Sequence, residues 1–256
     1  MEIEAARINS HIQMPKFMLK RFENENQSFF YYDIKKGFIG SKGHAKTFYT
    51  ELGYYSEDTE RYLSSQIETP FSNLLRIIDC IDFDSESFPI SSELDKNVKQ
   101  FIYALISRSP IMVSGIKKSS EFYRNYLSVQ KQHDYAVKKG IELAKELHVF
   151  DGFFVTFAIN KSPMPFVLPM CGLYNFKYNQ IEMAFLPISP HVAIALVENK
   201  GITMFAHDHI ISMLLIAEHS FALWFNKRAF SAQKETGCGY VISSEKAALE
   251  ACIKDA

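Results

Sequence analysis

Of 256 residues only four are cysteine (Cys80, Cys171, Cys238 and Cys252), and no two of them stand in a C-x-x-C pair. That sparseness excludes a disulfide scaffold and the close spacing of a zinc site, and it predicts free thiols in a reducing compartment. Proline and glycine are also few, at 9 and 11. No Pro/Gly/Ser-rich linker, internal repeat or low-complexity run divides the chain, so a single domain over 1–256 is expected. Neither sign of charge dominates: 28 Lys and Arg against 29 Asp and Glu leave a formal net charge of -1. Nothing global draws such a chain to a polyanion, although a balanced total leaves a local basic patch open. The most apolar run, Ile210 to Phe225, is broken by Glu218 and His219 and falls short of a membrane span. The opening MEIEAARINS lacks the apolar stretch of a signal peptide. The expectation is a cytoplasmic protein with no membrane partner.

What is present is apolar and aromatic. Hydrophobic residues make up 47% and aromatics 14%, 22 of them Phe, which predicts a globular, Phe-rich core. FFYYDI at Phe29 to Ile34, the turn Lys35-Lys36-Gly37 and Phe38-Ile39 predict a hairpin. Ser56 to Cys80 reads as a helix, with acids after Ser56 and a kink or break at Pro70. Leu94 to Arg108 is a second helix, stopped by Pro110. A third runs to about Gln132, and a fourth spans Asp134 to Leu147. Short apolar runs at 152–159, 166–168, 181–185 and 192–197 read as strands. A long apolar helix is expected from about His209 to Phe230, then a strand at Tyr240 to Ile242 and a last helix over Glu245 to Ile253. The fold class is therefore α+β: a central helical block, N-terminal and C-terminal strands that could join in one sheet, and a long late buried helix.

Several segments together resemble a family, domain of unknown function 4238. They are His11-Ile12-Gln13-Met14-Pro15-Lys16-Phe17-Met18-Leu19-Lys20-Arg21-Phe22, and Phe48-Tyr49-Thr50-Glu51-Leu52-Gly53-Tyr54-Tyr55 leading into Glu60-Arg61-Tyr62-Leu63 and Ile67-Glu68. Ser107-Arg108-Ser109-Pro110 is similar to the family's Arg-x-Pro helix end, and Leu186-Pro187-Ile188-Ser189-Pro190 to its Pro-x-Ser-Pro segment. Asn226 falls where the family tends to carry an Asn on a late helix. The chain departs at two places. His11 stands four residues before Pro15 where the family has three, and Pro165 to Met170 holds no acid where members carry Ser-Asp-x-Pro. The resemblance implies no settled activity.

His11, Glu68 and Arg108, all in such segments, form the leading catalytic constellation: base, orienting carboxylate and anion clamp at a phosphate. The competing reading makes Arg108 the cap of a helix C-terminus and pairs Glu68 with a Lys or Arg. Asn226, Lys42 and Lys46 are candidate binding residues. The glycines Gly37, Gly40 and Gly43 near Lys42 and Lys46 do not make a G-x-x-x-x-G-K-[ST] loop, so a basic hairpin is left that could meet phosphate by charge alone. His207-Asp208-His209 is read as a helix start with Asp208 as N-cap rather than a metal site. Asp79, Asp82, Asp84 and Glu86 are read as a solvated loop rather than a cation site. Glu198-Asn199-Lys200 lacks the partner Asp of a nuclease centre. Ser162 and Ser189 sit beside Pro, not in a nucleophile elbow, and Cys171 shows no activating environment. No metal site is expected, and no cofactor is indicated.

Two functions remain. One is a phosphodiester- or nucleic-acid-directed enzyme, toxin-like or defensive, whose partner is nucleic acid or a phosphorylated ligand. The alternative is a non-catalytic protein-binding or scaffold module, suggested by the absence of any complete catalytic motif. Neither reading decides whether the chain is an enzyme.

Overall fold

The computed structural model describes residues 9–81, 87–119, 121–178, 180–199, 204–206, 209–213 and 215–254. The described chain opens with strand β1 (Asn9–His11), and Pro15 then turns it into the short helix α1 (Lys16–Lys20). Strands β2 (Ser28–Asp33) and β3 (Phe38–Gly43) form the expected hairpin, antiparallel, with Phe29 opposite Lys42. Asp33 Oδ1 accepts the Lys36 N–H at 2.9 Å, and Gly37 takes φ +70°, the left-handed conformation this turn needs. A 3-10 turn (Ala45–Thr47) leads to β4 (Thr50–Leu52), which pairs antiparallel with β1.

Helix α2 (Glu57–Leu63) is capped by Ser56, whose Oγ accepts the Thr59 N–H at 3.3 Å. It runs through a π turn (Ser64–Glu68) into α3 (Thr69–Ile78). The Thr69 N–H reaches back to Ser64 O, five residues earlier, directly before Pro70. Proline has no N–H to donate, so the ladder widens there instead of breaking. Strand β5 (Ser87–Ile90) precedes α4 (Ser92–Ser107), which starts where Ser91 caps the Leu94 N–H at 3.2 Å. Helices α5 (Pro110–Ser119), α6 (Glu121–Tyr126) and α7 (Val129–Glu146) follow. The single third helix expected to reach Gln132 is therefore two helices. The fourth begins at Val129, not Asp134, because Ser128 supplies its cap to Lys131 N.

The remainder comprises β6 (Phe153–Asn160), β7 (Leu168–Pro169), β8 (Tyr174–Tyr178), β9 (Ile181–Pro187), β10 (Val192–Glu198), β11 (Met204–Ala206), β12 (His209–Met213) and β13 (Leu215–Ala217). Helix α8 (His219–Glu235), β14 (Tyr240–Ser243) and α9 (Lys246–Ile253) complete it. The long helix expected from His209 is thus a correction. Its first half is strand: β12 pairs antiparallel with β5 and β11, and β13 runs parallel to β6. The helix starts at His219, with Glu218 at its N-cap position, so Asp208 is not its cap. His207 and Asp208 themselves lie outside the described residues.

The order β3-β2-β14-β7 joins the N-terminal hairpin to C-terminal strands, while β13-β6-β10-β9-β8 makes a separate sheet. Helices with mainly antiparallel sheets make the class α+β. The core is rich in Phe. Helix α4 buries Val98, Phe101, Ile102 and Leu105, and Phe101 stacks on Phe71 of α3 with ring centroids 3.8 Å apart. Helix α8 buries Ala222, Phe225, Ala229 and Phe230 against the strands. Among the described residues no helix is long and apolar enough to cross a membrane.

Candidate active site

Three segments far apart in sequence meet at the N-terminal end of the described chain. Pairing of β1 with β4 sets His11 opposite Thr50 and fixes its backbone. Pro15 and α1 then fold over the same spot. The π turn after α2 carries Glu68, and α4 ends at Arg108. Helix α7 approaches that end closely: a Cβ on Gly140 would lie 2.8 Å from Ser107 Cβ and Oγ. The result is a cavity of about 340 Å³, lined by His11, Pro15, Lys16, Phe17, Lys20, Glu60, Glu68 and Arg108.

Arg108 is its inner wall, with 3% of its surface exposed. Its Nη2 donates to Glu68 Oε1, and its Nε is buried without a protein partner. Burial opposes the charge of the guanidinium. Glu68, Tyr55 and Glu60 outweigh it and hold Arg108 above its ordinary value, fully protonated. His11 moves the other way. Burial lowers it, Glu68 raises it, and Arg108 and Lys16 lower it further, with a backbone hydrogen bond at Phe48 opposing them. The imidazole is therefore neutral near pH 7, and its buried Nδ1 has no protein partner. Glu60 is raised above its ordinary value, mainly by burial, against a hydrogen bond from Ser10 and the field of Arg108. Behind Arg108, burial pushes the Tyr55 phenol well up, and its hydroxyl too is buried and unpartnered. A neutral base, a carboxyl group that holds its proton more tightly than usual, and a fixed guanidinium share one concavity. Such a set can take a proton, return one and hold an anion.

Of the six residues singled out in the sequence, the structure brings His11, Glu68 and Arg108 together. Asn226 stands elsewhere: fully buried in α8, it accepts the Val167 N–H at 3.0 Å and donates to Pro165 O at 2.8 Å, bridging the chain that leads into β7. Lys42 on β3 and Lys46 in the 3-10 turn lie outside the cavity wall. Lys16, Lys20, Phe17 and Glu60, which stand in the resembling segments but outside those six, also line the cavity. Their signal was available: two lysines four apart behind a proline, and a third acid in the first turn of α2.

The other sequence candidates separate. Asp79 accepts a bidentate pair from Arg21, at 2.5 and 2.7 Å, while Asp82, Asp84 and Glu86 lie outside the described residues. Glu198 Oε2 accepts the Glu182 N–H at 3.1 Å; Lys200 lies outside the described residues. Ser162 Oγ accepts the Met164 N–H at 3.0 Å and lies 3.3 Å from His219 Nδ1, tying that turn to the start of α8. Burial pushes the Cys171 thiol up to about 12, which leaves it protonated and unreactive. Among the described residues no group of His, Cys, Asp or Glu is placed to hold a metal ion. No family model, no curated protein and no solved structure matches the chain.

Proposed function

We propose that this chain is an enzyme acting on a phosphodiester in the cavity at His11 and Arg108. One observation carries the reading: His11, Lys16 and Lys20 from the N-terminal segment and Arg108 from the end of α4 line one concavity of a size that takes a small ligand. Lys16, Lys20 and Arg108 bring basic side chains to it, and Arg108 is pre-positioned by burial and by Glu68, so it meets developing negative charge without reorganising. In the reaction, neutral His11 takes the proton of an attacking hydroxyl as the new O–P bond forms. The leaving oxygen departs as its O–P bond breaks, and it takes a proton from the Glu60 carboxyl group. Burial pushes His11 down and Glu60 up in the same cavity, so the proton affinities of the base and the acid are brought closer together. A cytoplasmic setting fits four cysteines that are all free thiols. Membership of the family that the N-terminal segments resemble remains a proposal beside it.

The test is a panel of phosphodiesters (dinucleotides, cyclic nucleotides, single-stranded and duplex nucleic acid) assayed with and without divalent cation. Turnover of at least one, lowered by His11→Asn and Arg108→Met in protein that stays folded, is the expected result. A panel with no turnover sinks the proposal.

A second reading, a non-catalytic protein-binding module, is favoured by one feature. A groove of about 760 Å³ lies between α5 and α8, and Ile111 on its edge is 60% exposed. Light scattering that shows a monomer, with no copurifying partner, counts against it.

A further inference from the structure

The cavity does not stop at its own wall. Helix α1 forms its rim, and Lys16 and Lys20 stand four positions apart on it, about 6 Å along the axis. Both are exposed. On its other side α1 packs against the 3-10 turn that carries Lys46. Glu23, just past α1, fixes that turn by accepting the Ala45 N–H at 2.7 Å, and Lys46 remains exposed. Lys42, half-buried, lies on the strand just before that turn. It stands opposite Phe29 in the hairpin, so the two side chains share a face, and Phe29 packs edge-on against Phe48 just after the turn, at 5.0 Å. Four lysines thus stand on three neighbouring elements, the hairpin strand β3, the turn packed against α1, and α1 at the mouth of the cavity, although the chain as a whole carries a net charge of -1. The wall beside them is aromatic. Phe17 is half-buried, seated on Phe101 and Phe71 at 5.7 and 6.3 Å, and its open side lines the cavity.

A row of cations beside an aromatic face is the chemistry that binds an unpaired nucleic-acid strand: phosphates follow the lysines and a base stacks on the ring. A duplex keeps its bases stacked on one another and cannot offer one to Phe17. We propose that the site takes a single-stranded nucleic-acid segment, with one phosphate in the cavity at Arg108, flanking phosphates on Lys20, Lys46 and Lys42, and one base against Phe17. This rests on the phosphate-directed reading of the cavity and names its substrate class.

The experiment titrates the whole chain with a dinucleotide, with a single strand of about eight nucleotides and with a duplex of equal length, over a salt series. The expected result is tighter binding of the longer strand than of the dinucleotide or the duplex. A log–log salt slope that is shallower by about 0.7 in Lys46→Ala is also expected, the change for one fewer phosphate of a single strand being neutralised. Phe17→Leu, which keeps the apolar volume beneath, should weaken the single strand several-fold. Equal affinity for dinucleotide and longer strand, or for duplex and single strand, overturns the inference, and so does a slope that Lys46→Ala leaves unchanged. Those results stand apart from the catalytic reading: a dinucleotide cleaved without length dependence sinks only the extended path. Length-dependent binding with no cleavage of any strand sinks only the enzyme.

Discussion

Arg108 ends one helix, Glu68 sits in the π turn between two others, and the guanidinium donates to the carboxylate across 40 residues of sequence. The Arg108 side chain is 4% exposed and that of Glu68 23%. Removing the carboxylate takes away both the largest favourable charge interaction and the hydrogen-bond partner of a fully buried guanidinium. Glu68→Ala is therefore expected to destabilise the fold by about 2–3 kcal/mol, and Arg108→Met by less, since methionine takes the charge away along with the partner's need for it. Urea denaturation of the two variants checks the order; Arg108→Met the more damaging of the two would contradict it.

The stability of the fold should depend on pH through His11. Its folded value lies below the ordinary 6.5, so above 6.5 both folded and unfolded chains carry it neutral and its contribution is complete. As pH falls, the unfolded chain binds a proton first and stability drops until folded His11 also titrates. His133, lowered by burial and by Lys117, acts in the same direction. Glu60 acts oppositely: its contribution is complete below 4.5 and is lost as pH rises through its raised folded value. His11→Asn should flatten the fall in stability between about pH 7 and pH 5 relative to wild type. Parallel curves for the two proteins would show that His11 is not lowered.

Gly140 keeps two helices close enough to seat Arg108. An added Cβ would meet Ser107 Cβ and Oγ at 2.8 Å and its backbone Cα at 3.3 Å, and Ser107 is fully buried with its hydroxyl donated to Tyr103 O at 2.7 Å. Gly140→Ala gains about 1 kcal/mol of helix propensity. The overpacking should cost about 1–3 kcal/mol and outweigh that gain. Adding Ser107→Gly should recover part of the loss, which a double-mutant cycle measures as a favourable coupling.

Asn226 bridges Pro165 O and Val167 N–H from the middle of α8. Asn226→Ala leaves both backbone groups buried without that partner and should cost about 1–3 kcal/mol. Phosphodiester turnover per folded molecule should stay at the wild-type level, because Asn226 lies off the cavity wall. Selective loss of turnover with unchanged stability would move it into the site.

The hairpin and the helix ends were legible because they are local. Aromatic residues on either side of Lys35-Lys36-Gly37 predict the hairpin, and Ser56 starts its helix by capping it. The stretch before His219 reads as helix in the sequence and is strand in the structure, for a physical reason. A strand running parallel beside β6 is apolar throughout, and such a run has the same signature as a buried helix. Ile210, Ile211 and Ile216, all β-branched, were the available sign of strand. Strand β8, Tyr174–Tyr178, is absent from the expected strands, though Tyr174 and Phe176 alternate with the exposed Asn175 and Lys177. The cavity was harder to read. Nothing in the spacing of residues 11, 68 and 108 says that they meet; the pairing of β1 with β4 and the packing of the π turn against α4 bring them together.

The most direct test of the account is cleavage of a single-stranded oligonucleotide by wild type and by His11→Asn, at pH 7 and with folding of both confirmed by denaturation. The account predicts measurable cleavage by wild type and a loss of about 100-fold or more without the imidazole. Equal cleavage by both proteins, or none by wild type, would contradict it.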